Sequence, residues 1–162
     1  LHQKGSGKKL DYLDPITNER YIPHIIESSI GVGRLVLATL TEAYTTVRGD
    51  EGERFVLKLH PLIAPIKVAV FPLLKNKPQL VEKAEELYGR LSKKFMCEYD
   101  DNGNIGKRYR RQDEIGTPYC ITVDFQTLED DTVTLRDRDT AEQKRIPIDD
   151  LTKVINIQNE FN

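Results

Sequence analysis

The nearly continuous apolar run at residues 66–74 is the feature that most constrains the fold of this chain. The run is far shorter than the about 20 apolar residues that a membrane-spanning helix needs, and no other run is longer. A short apolar run without polar alternation is typical of a strand that is buried on both faces of a sheet. It therefore predicts a strand inside an α/β domain rather than a membrane segment, and we expect no membrane partner.

The residues that follow alternate between helix and strand patterns. Apolar side chains repeat at helical spacing from Leu80 to Phe95, a strand pattern covers residues 96–100, and residues 105–115 are basic and weakly helical. Later strand patterns cover residues 119–125, 132–139 and 144–148, before a helical stripe that starts at Ile148. This order predicts a small α/β domain with a mixed sheet and flanking helices.

The first third of the chain has a different pattern. Residues 1–18 are typical of loops and hairpins, residues 19–27 of a strand, and residues 31–46 of an amphipathic helix. The polar, glycine-containing segment 48–54 is the best candidate for a boundary. We therefore predict two regions, residues 1–52 and residues 60–162.

Charge and cysteine content limit the function classes. The chain has 24 basic and 26 acidic residues and a net charge of −2, so any nucleic-acid contact must come from a local patch. Two cysteines, Cys97 and Cys120, cannot build a disulfide framework or a four-thiolate zinc site, and the three histidines lack metal-site spacing. We expect no metal site and a reducing, cytoplasmic environment.

The start of the chain is also informative. It begins at Leu1, and its only methionine is Met96. Either a flexible N-terminus has been trimmed or the chain is the C-terminal part of a longer protein, and we favour the second interpretation.

The segment IIESSIGVGR at residues 25–34 could bind a small charged ligand. Glu27 and Ser29 would face the same side of a strand, while backbone amides and Arg34 at the following helix start could contact an anion. A glycine-containing turn with a surface arginine explains the same spacing, and spacing alone favours it. A dinucleotide fingerprint does not fit, because Val36 stands where a third glycine is needed.

Two basic segments could contact phosphate. Lys107, Arg108, Arg110 and Arg111 surround Tyr109, a combination suited to phosphate contact and base stacking, although ion pairs with Asp113 and Glu114 on a solvated helix explain it equally well. Arg136 and Arg138 would share one strand face, where cross-strand ion pairing is the commoner use.

Longer stretches of the sequence resemble a known family. ERYIPHIIESSIGVGRLVLATLTEAY resembles the third signature motif of class II aminoacyl-tRNA synthetases, and within that class the homodimeric glycyl-tRNA synthetases. LHPLIAPIKVAVFPL and KRYRRQDEIGTPYCITVDF resemble the C-terminal anticodon-binding domain of the same family, and the resemblance covers residues 8–150. It implies that residues 1–52 end an antiparallel catalytic core and that residues 60–162 form the anticodon-binding domain.

The resemblance also implies roles for individual residues, none of them catalytic. Glycine would be bound by Glu27, Ser28, Ser29, Ile30 and Gly31. ATP, with Mg²⁺ bridging its phosphates, would be bound by Gly31, Val32, Gly33 and Arg34. Candidates for contacts with the anticodon region of glycine tRNA are Arg108, Tyr109, Arg110, Arg111, Arg136 and Arg138.

The implied activity is the ATP-dependent attachment of glycine to its tRNA by a homodimer. The first two class II motifs are not in this sequence, so the chain alone is expected to be inactive and mainly to bind tRNA. Ser28 stands where the family usually has proline, which could loosen the strand end, and Gly33 replaces an aspartate common in bacterial members, although a Gly-x-Gly-Arg form also occurs in the family. The alternative is a synthetase-like module that binds tRNA or a partner protein without catalysis.

Overall fold

A computed structural model describes residues 1–49 and 52–155. Contacts divide the chain into two compact units, residues 1–34 and a second unit from Leu35 onward. The predicted division into residues 1–52 and 60–162 stays a prediction. None of the helices described in these ranges is long and apolar enough to cross a bilayer.

The first unit contains a short helix and a small hairpin. Helix α1 spans His2–Ser6, and strands β1 (Tyr12–Leu13) and β2 (Arg20–Tyr21) pair antiparallel, as predicted for hairpin material. The Asp14 carboxylate accepts hydrogen bonds from the backbone amides of Ile16 (2.8 Å) and Thr17 (3.3 Å), which closes the turn. These backbone bonds hold the pKa of Asp14 below its ordinary value.

The strand predicted for residues 19–27 is wrong over most of its length. Only Arg20–Tyr21 forms a strand, and residues 22–31 form neither helix nor strand. A strand needs a neighbouring strand to pair its backbone groups, and β2 pairs only with the two-residue β1 within the described ranges. Ile25 and Ile26 are consequently 82% and 97% exposed.

The predicted amphipathic helix is confirmed but ends earlier. Helix α2 spans Val32–Ala43, and the chain then forms strand β3 (Tyr44–Gly49), paired antiparallel with β4 (Gly52–Leu57). The β-branched side chains of Thr45, Thr46 and Val47 favour this strand over a longer helix. Residues 48–49 and 52–54 of the segment predicted as a boundary therefore lie in two paired strands.

The second unit is built on one five-stranded mixed sheet, which confirms the predicted α/β class. Its strand order is β6-β5-β7-β8-β9, with β5 parallel to β6 and β7 and the remaining pairs antiparallel. In chain order the elements are β5 (Val68–Pro72), α3 (Pro78–Leu91), β6 (Cys97–Tyr99), α4 (Ile105–Ile115), β7 (Tyr119–Val123), α5 (Phe125–Asp130), β8 (Thr132–Asp137), β9 (Gln143–Pro147), a 3₁₀ turn (Ile148–Asp150) and α6 (Leu151–Val154).

Alternation along β5 separates two hydrophobic cores. Val68 and Val70 pack on the side of α3, against Leu80, Ala84, Leu87 and Leu91. Ala69 and Phe71 face the other side, where Tyr109 of α4 packs against them. Every residue of β5 is buried, as the apolar run predicted.

Two differences from the predicted elements remain. Helix α5 was not predicted; Asp124 and Thr127 form a capping box that starts it directly after β7. The predicted C-terminal helix corresponds to α6, which ends at Val154, and the rest of the predicted stripe, residues 156–162, lies outside the described ranges.

Candidate functional site

The predicted glycine-binding residues lie in the irregular segment that precedes α2. Glu27 lines a cavity of about 870 Å³ in the first unit. Its lining consists of Leu1, His2, Gln3, Lys4, Leu10, Ile22, Pro23, His24, Ile25 and Glu27. Ser28, Ser29, Ile30 and Gly31 are exposed and do not line this cavity.

The predicted ATP contacts lie at the start of α2. Val32 and Gly33 open the helix, and Arg34 stands in its first turn, which has no acidic residue. The space beside Gly31 and Gly33 is open, because nothing lies within 4 Å of the position that a Cβ would take. Arg34 does not line the cavity of Glu27, so the structure does not bring the two predicted sites into one cavity.

A different arrangement occurs where the parallel strands end. We use the name carboxyl edge for residues 73–77, 100–104 and 124–127, which follow β5, β6 and β7. Helices α3 and α4 cover opposite faces of the sheet, and the strand order reverses between β5, which leads to β6 on one side, and β7, which leads to β8 on the other. Such a switch point usually opens a ligand-binding crevice.

Arg108 lies at this edge between the end of β5 and the loop that follows β6. Its guanidinium donates hydrogen bonds to the carbonyl oxygens of Asp101 (2.9 Å), Gly103 (2.8 Å) and Pro72, the last residue of β5. The residue is 1% exposed. The expectation that Arg108 contacts RNA is therefore corrected: its charge is used to tie the ends of two strands together.

Arg136 is also an interior residue. It donates to both carboxylate oxygens of Asp113 on α4 (2.8 and 3.0 Å), and Arg54 of β4 lies 3.5 Å from the same carboxylate. Burial acts to lower the pKa of Arg136, but the hydrogen-bonded Asp113 outweighs it and the pKa lies above its ordinary value. The two partners thus fasten α4 to β8 instead of facing solvent.

Arg138 has a similar structural role. Its guanidinium donates to the carbonyl oxygens of Gly116 (2.7 Å) and Leu59 (2.8 Å) and also pairs with Asp139. The predicted RNA contacts of Arg136 and Arg138 are corrected in the same way as that of Arg108. A sequence pattern cannot tell an interior arginine from a surface one, because the difference lies in which backbone carbonyls the fold brings within reach.

Tyr109 packs against the sheet rather than presenting a free ring. Its hydroxyl shares a hydrogen bond with Thr122 (2.6 Å), Phe71 meets its ring edge-to-face at 5.6 Å, and the Arg136 guanidinium lies 5.0 Å from its centroid. Burial raises the pKa of this phenol. Tyr109 is therefore a packing residue of the α4 face.

The other cations of α4 are the exposed Lys107 and Arg110 and the half-exposed Arg111. Arg110 pairs with Glu114 at 3.1 Å and stays half exposed, as the ion-pair interpretation predicted. Arg111 donates to the Asp100 carboxylate (Nε, 3.0 Å) and to the carbonyl oxygen of Asn102 (2.7 Å). Its side chain is 42% exposed, although Nε and Nη2 both donate to the Asp100 carboxylate.

Phe125 is a site residue that the sequence interpretation missed. It was taken as the last residue of a strand, but it opens α5 at the carboxyl edge and is 48% exposed. Among the aromatic residues described after residue 66, no other ring is classed as exposed. The Asp-x-x-Thr spacing of the capping box is the signal that would have placed it at a helix start.

Asp124 and Arg145 form a rigid ion pair beside Phe125. Arg145 donates to Asp124 (Nη2 to Oδ1, 2.8 Å) and to the Thr132 hydroxyl (2.7 Å). Partial burial acts to raise the pKa of Asp124, but hydrogen bonds from Arg145 and Thr127 outweigh it and the pKa lies below its ordinary value. Asp124 therefore stays ionised and keeps the start of α5 in place.

The two cysteines are poor nucleophiles. Burial raises the pKa of Cys97 to about 11, and it raises the pKa of the fully buried Cys120 as well. In the part of the chain that the structure describes, no group of histidine, cysteine and acidic side chains could hold a metal ion. Cys120 is buried, as the sequence predicted for both thiols, whereas Cys97 is only half-buried.

Iodoacetamide at pH 8 is expected to modify Cys97 about 100-fold more slowly than an exposed cysteine. The reason is the smaller thiolate fraction that follows from its raised pKa. Mass spectrometry of the native protein measures the rate, the denatured protein supplies the fast reference, and Cys97→Ser separates the two thiols. Modification of Cys97 at the denatured rate would contradict its burial.

Comparison with known proteins identifies the class to which this fold and site belong. A family model described as "Anticodon binding domain" matches residues 67–158, more than half of the chain. The chain belongs to this family of anticodon-binding domains. A crystal structure of the RNA binding domain of threonyl-tRNA synthetase from Cryptosporidium parvum Iowa II shares the fold, with a TM-score of 0.56 and 24% identity, over 61% of this chain and 25% of that one.

Two of the curated relatives that the chain matches are complete ligases specific for one amino acid. The chain is 55% identical to the glycine--tRNA ligase of Clostridium tetani over 161 residues, which are 99% of this chain and 34% of that protein. It is 58% identical to the glycine--tRNA ligase of Alkaliphilus metalliredigens over 151 residues, 93% of this chain and 32% of that protein. The chain thus spans about a third of the length of these relatives, and the resemblance to glycyl-tRNA synthetases is confirmed.

Proposed function

We propose that this chain is the anticodon-binding part of a glycine-tRNA ligase and that it binds the anticodon region of glycine tRNA. The observation that carries this proposal is the 55% identity to a glycine--tRNA ligase over 99% of the chain. The alignment spans 99% of the chain and so includes residues 27–34, which favours a ligase origin over a module that never took part in catalysis.

The RNA-binding surface in this proposal is the carboxyl edge. The amino edge of the sheet near α4 is covered, because Arg138 and Gly116 hold the segment Leu57–Leu59 there. The carboxyl edge instead carries exposed Lys75, Lys77 and Lys107 and the half-exposed Arg111. Helices α3 and α4 both begin at this edge with no acidic residue in their first turns, so their positive ends face it too.

Phe125 supplies an exposed aromatic ring, which a basic patch alone does not offer to RNA bases. Bases of a single-stranded loop are recognised by stacking on aromatic rings and by hydrogen bonds to their edges, while cations contact the phosphates. Exposed cations that follow β5 and β6 and one exposed ring that follows β7 meet both requirements at one edge of the sheet, in a chain whose net charge is −2. An anticodon loop is the ligand with this chemistry.

The proposal extends to glycine and ATP in the longer ligase. Glu27 would pair with the glycine ammonium group, with Ser28, Ser29, Ile30 and Gly31 beside it. ATP would supply the adenylyl group that activates glycine, and Gly31, Val32, Gly33 and Arg34 would hold its phosphates. The start of α2 fits an anion, because its first turn has a guanidinium and no acidic side chain.

The residues described do not fit Mg²⁺ in the same way, since no group of acidic side chains among them could hold a metal. Any Mg²⁺ would then be held by ATP and by parts of the ligase other than the residues described. The homodimeric state and the cytoplasmic location belong to the same proposal.

Binding of anticodon hairpins tests the proposed function. The chain is expected to bind a labelled RNA hairpin with a glycine anticodon more tightly than a hairpin with an exchanged anticodon, and its affinity should fall steeply with salt. Phe125→Ala should weaken binding of the first hairpin about 10-fold, since stacking on an aromatic ring is worth about 1–3 kcal/mol per base. Fluorescence anisotropy measures each affinity.

Met96→Ala is the matched control, because Met96 is an exposed apolar residue just before β6, at the opposite edge of the sheet. Its affinity should equal that of the unmodified chain. Equal binding of both hairpins would contradict anticodon recognition, and an unchanged affinity in Phe125→Ala would exclude stacking at this position.

A further inference from the structure

The loop from Asp100 to Asn104 is built around the guanidinium of Arg108. The side chain reaches this loop from α4 and donates to three consecutive carbonyl oxygens, those of Asp101 (2.9 Å), Asn102 (3.4 Å) and Gly103 (2.8 Å). A further bond to the carbonyl of Pro72 joins the loop to the end of β5. The four partners are all backbone groups, so the contact specifies the path of the chain rather than a side-chain pair.

An arginine is needed to make this arrangement. A guanidinium offers five N–H donors in a planar fork, whereas the ammonium group of lysine offers three from a single atom. Arg108 is buried, and its head group therefore has no water to replace a lost bond. Lysine at this position would keep the charge but would leave part of the loop unbonded.

The same loop orients the half-exposed Arg111. The carbonyl of Asn102 accepts from Nε of Arg108 and from Nη2 of Arg111 (2.7 Å), so the two arginines share one acceptor. The carboxylate of Asp100, the first residue of the loop, accepts from Nε of Arg111 (3.0 Å). The amide of Asp100 bonds to the carbonyl of Val70 in β5 at 3.2 Å, which anchors this end of the loop.

We propose that Arg108 is a positioning residue for tRNA recognition, which holds the loop so that Arg111 is presented in one orientation at the carboxyl edge. This inference rests on the proposed function. A guanidinium that is already oriented loses less side-chain entropy when it contacts RNA, so affinity depends on the loop as well as on Arg111. Arg108 itself does not reach the RNA.

Arg108→Lys tests this positioning role without changing the net charge. We expect it to weaken binding of the glycine-anticodon hairpin about 10-fold, while Arg111→Ala weakens binding similarly and also lowers the salt dependence by about one phosphate contact. Because both changes act on the same contact, the double variant should bind no more weakly than Arg111→Ala alone. A purely structural role for Arg108 would not produce this non-additivity.

Arg90→Lys is the matched control. Arg90 lies in the last turn of α3, away from the carboxyl edge, and pairs with Asp149 at 2.7 Å, so its affinity for the hairpin should be unchanged. Should Arg108→Lys fail to fold, Asp100→Asn tests the same positioning role. It leaves the bonds of Arg108 in place, removes the carboxylate that orients Arg111, and should likewise be non-additive with Arg111→Ala.

The outcomes separate the two proposals. If the unmodified chain does not prefer the glycine-anticodon hairpin, the proposed function fails and this inference fails with it. If the unmodified chain shows the preference but Arg108→Lys binds equally well, or its effect adds fully to that of Arg111→Ala, only the positioning role is overturned. In the Asp100→Asn experiment, full additivity overturns it in the same way.

Discussion

Asp113→Asn is expected to lower the free energy of unfolding by about 3–5 kcal/mol, the range for removing one partner of a buried ion pair. Asp113 is 1% exposed and accepts two hydrogen bonds from Arg136, and Arg54 lies 3.5 Å away. The asparagine would keep the size of the side chain but leave the Arg136 guanidinium, which is almost fully buried, without a counter-charge. Urea unfolding followed by circular dichroism measures the change.

Glu114→Gln is the matched control for this prediction. Glu114 is the next residue of α4 and pairs with Arg110, but both side chains are about half exposed. Exposed pairs contribute little, so this change should lower stability by less than about 1 kcal/mol. If both substitutions had equally small effects, Asp113 would not anchor α4 as the geometry indicates.

Gly116→Ala is expected to destabilise the domain by about 2–5 kcal/mol. Gly116 ends α4 with φ +87°, a left-handed conformation that costs an L-residue roughly 1–2 kcal/mol. A Cβ there would also lie 2.9 Å from Leu59 Cδ1 and 3.0 Å from the carbonyl oxygen of Leu57, and such overpacking adds about 1–3 kcal/mol. The backbone oxygen cannot move aside without displacing the end of β4.

Gly89→Ala should change the stability of the domain in the opposite direction. Gly89 lies inside α3, and nothing lies within 4 Å of the position of an added Cβ. Alanine there should stabilise the domain by about 0.5–1 kcal/mol, since glycine is unfavourable in a helix interior. Thermal unfolding of both variants makes the comparison, and a destabilisation of Gly116→Ala below about 1 kcal/mol would contradict the close approach to Leu57.

Local pattern predicted the elements whose structure depends on their own residues. The buried strand β5 follows from its continuous apolar run, and α3 follows from apolar side chains at helical spacing that reach a single core. The strand predicted for residues 19–27 failed because pairing depends on a neighbouring strand, which no local pattern can supply. Helix α5 was missed because its capping box lies at the end of a strand pattern.

The candidate site likewise shows that the sequence identifies charged residues but not which of them are buried. Lys107, Arg108, Arg110 and Arg111 look alike as a basic cluster, and the sequence alone treats them as one patch. In the fold, Arg108 is interior and Arg111 is oriented at the surface, although the two lie only three residues apart. Phe125 became a candidate only when its ring was seen to be exposed.

Sequence by itself determined the α/β class, the central buried strand and the family, because these depend on apolar periodicity and on residue identity along the chain. Tertiary structure alone decided which charged groups are available to a ligand. The physical reason is that an arginine whose guanidinium bonds to backbone carbonyls or to a buried carboxylate is not available to a ligand. Those partners come from distant parts of the chain, such as Pro72 for Arg108 and Leu59 for Arg138.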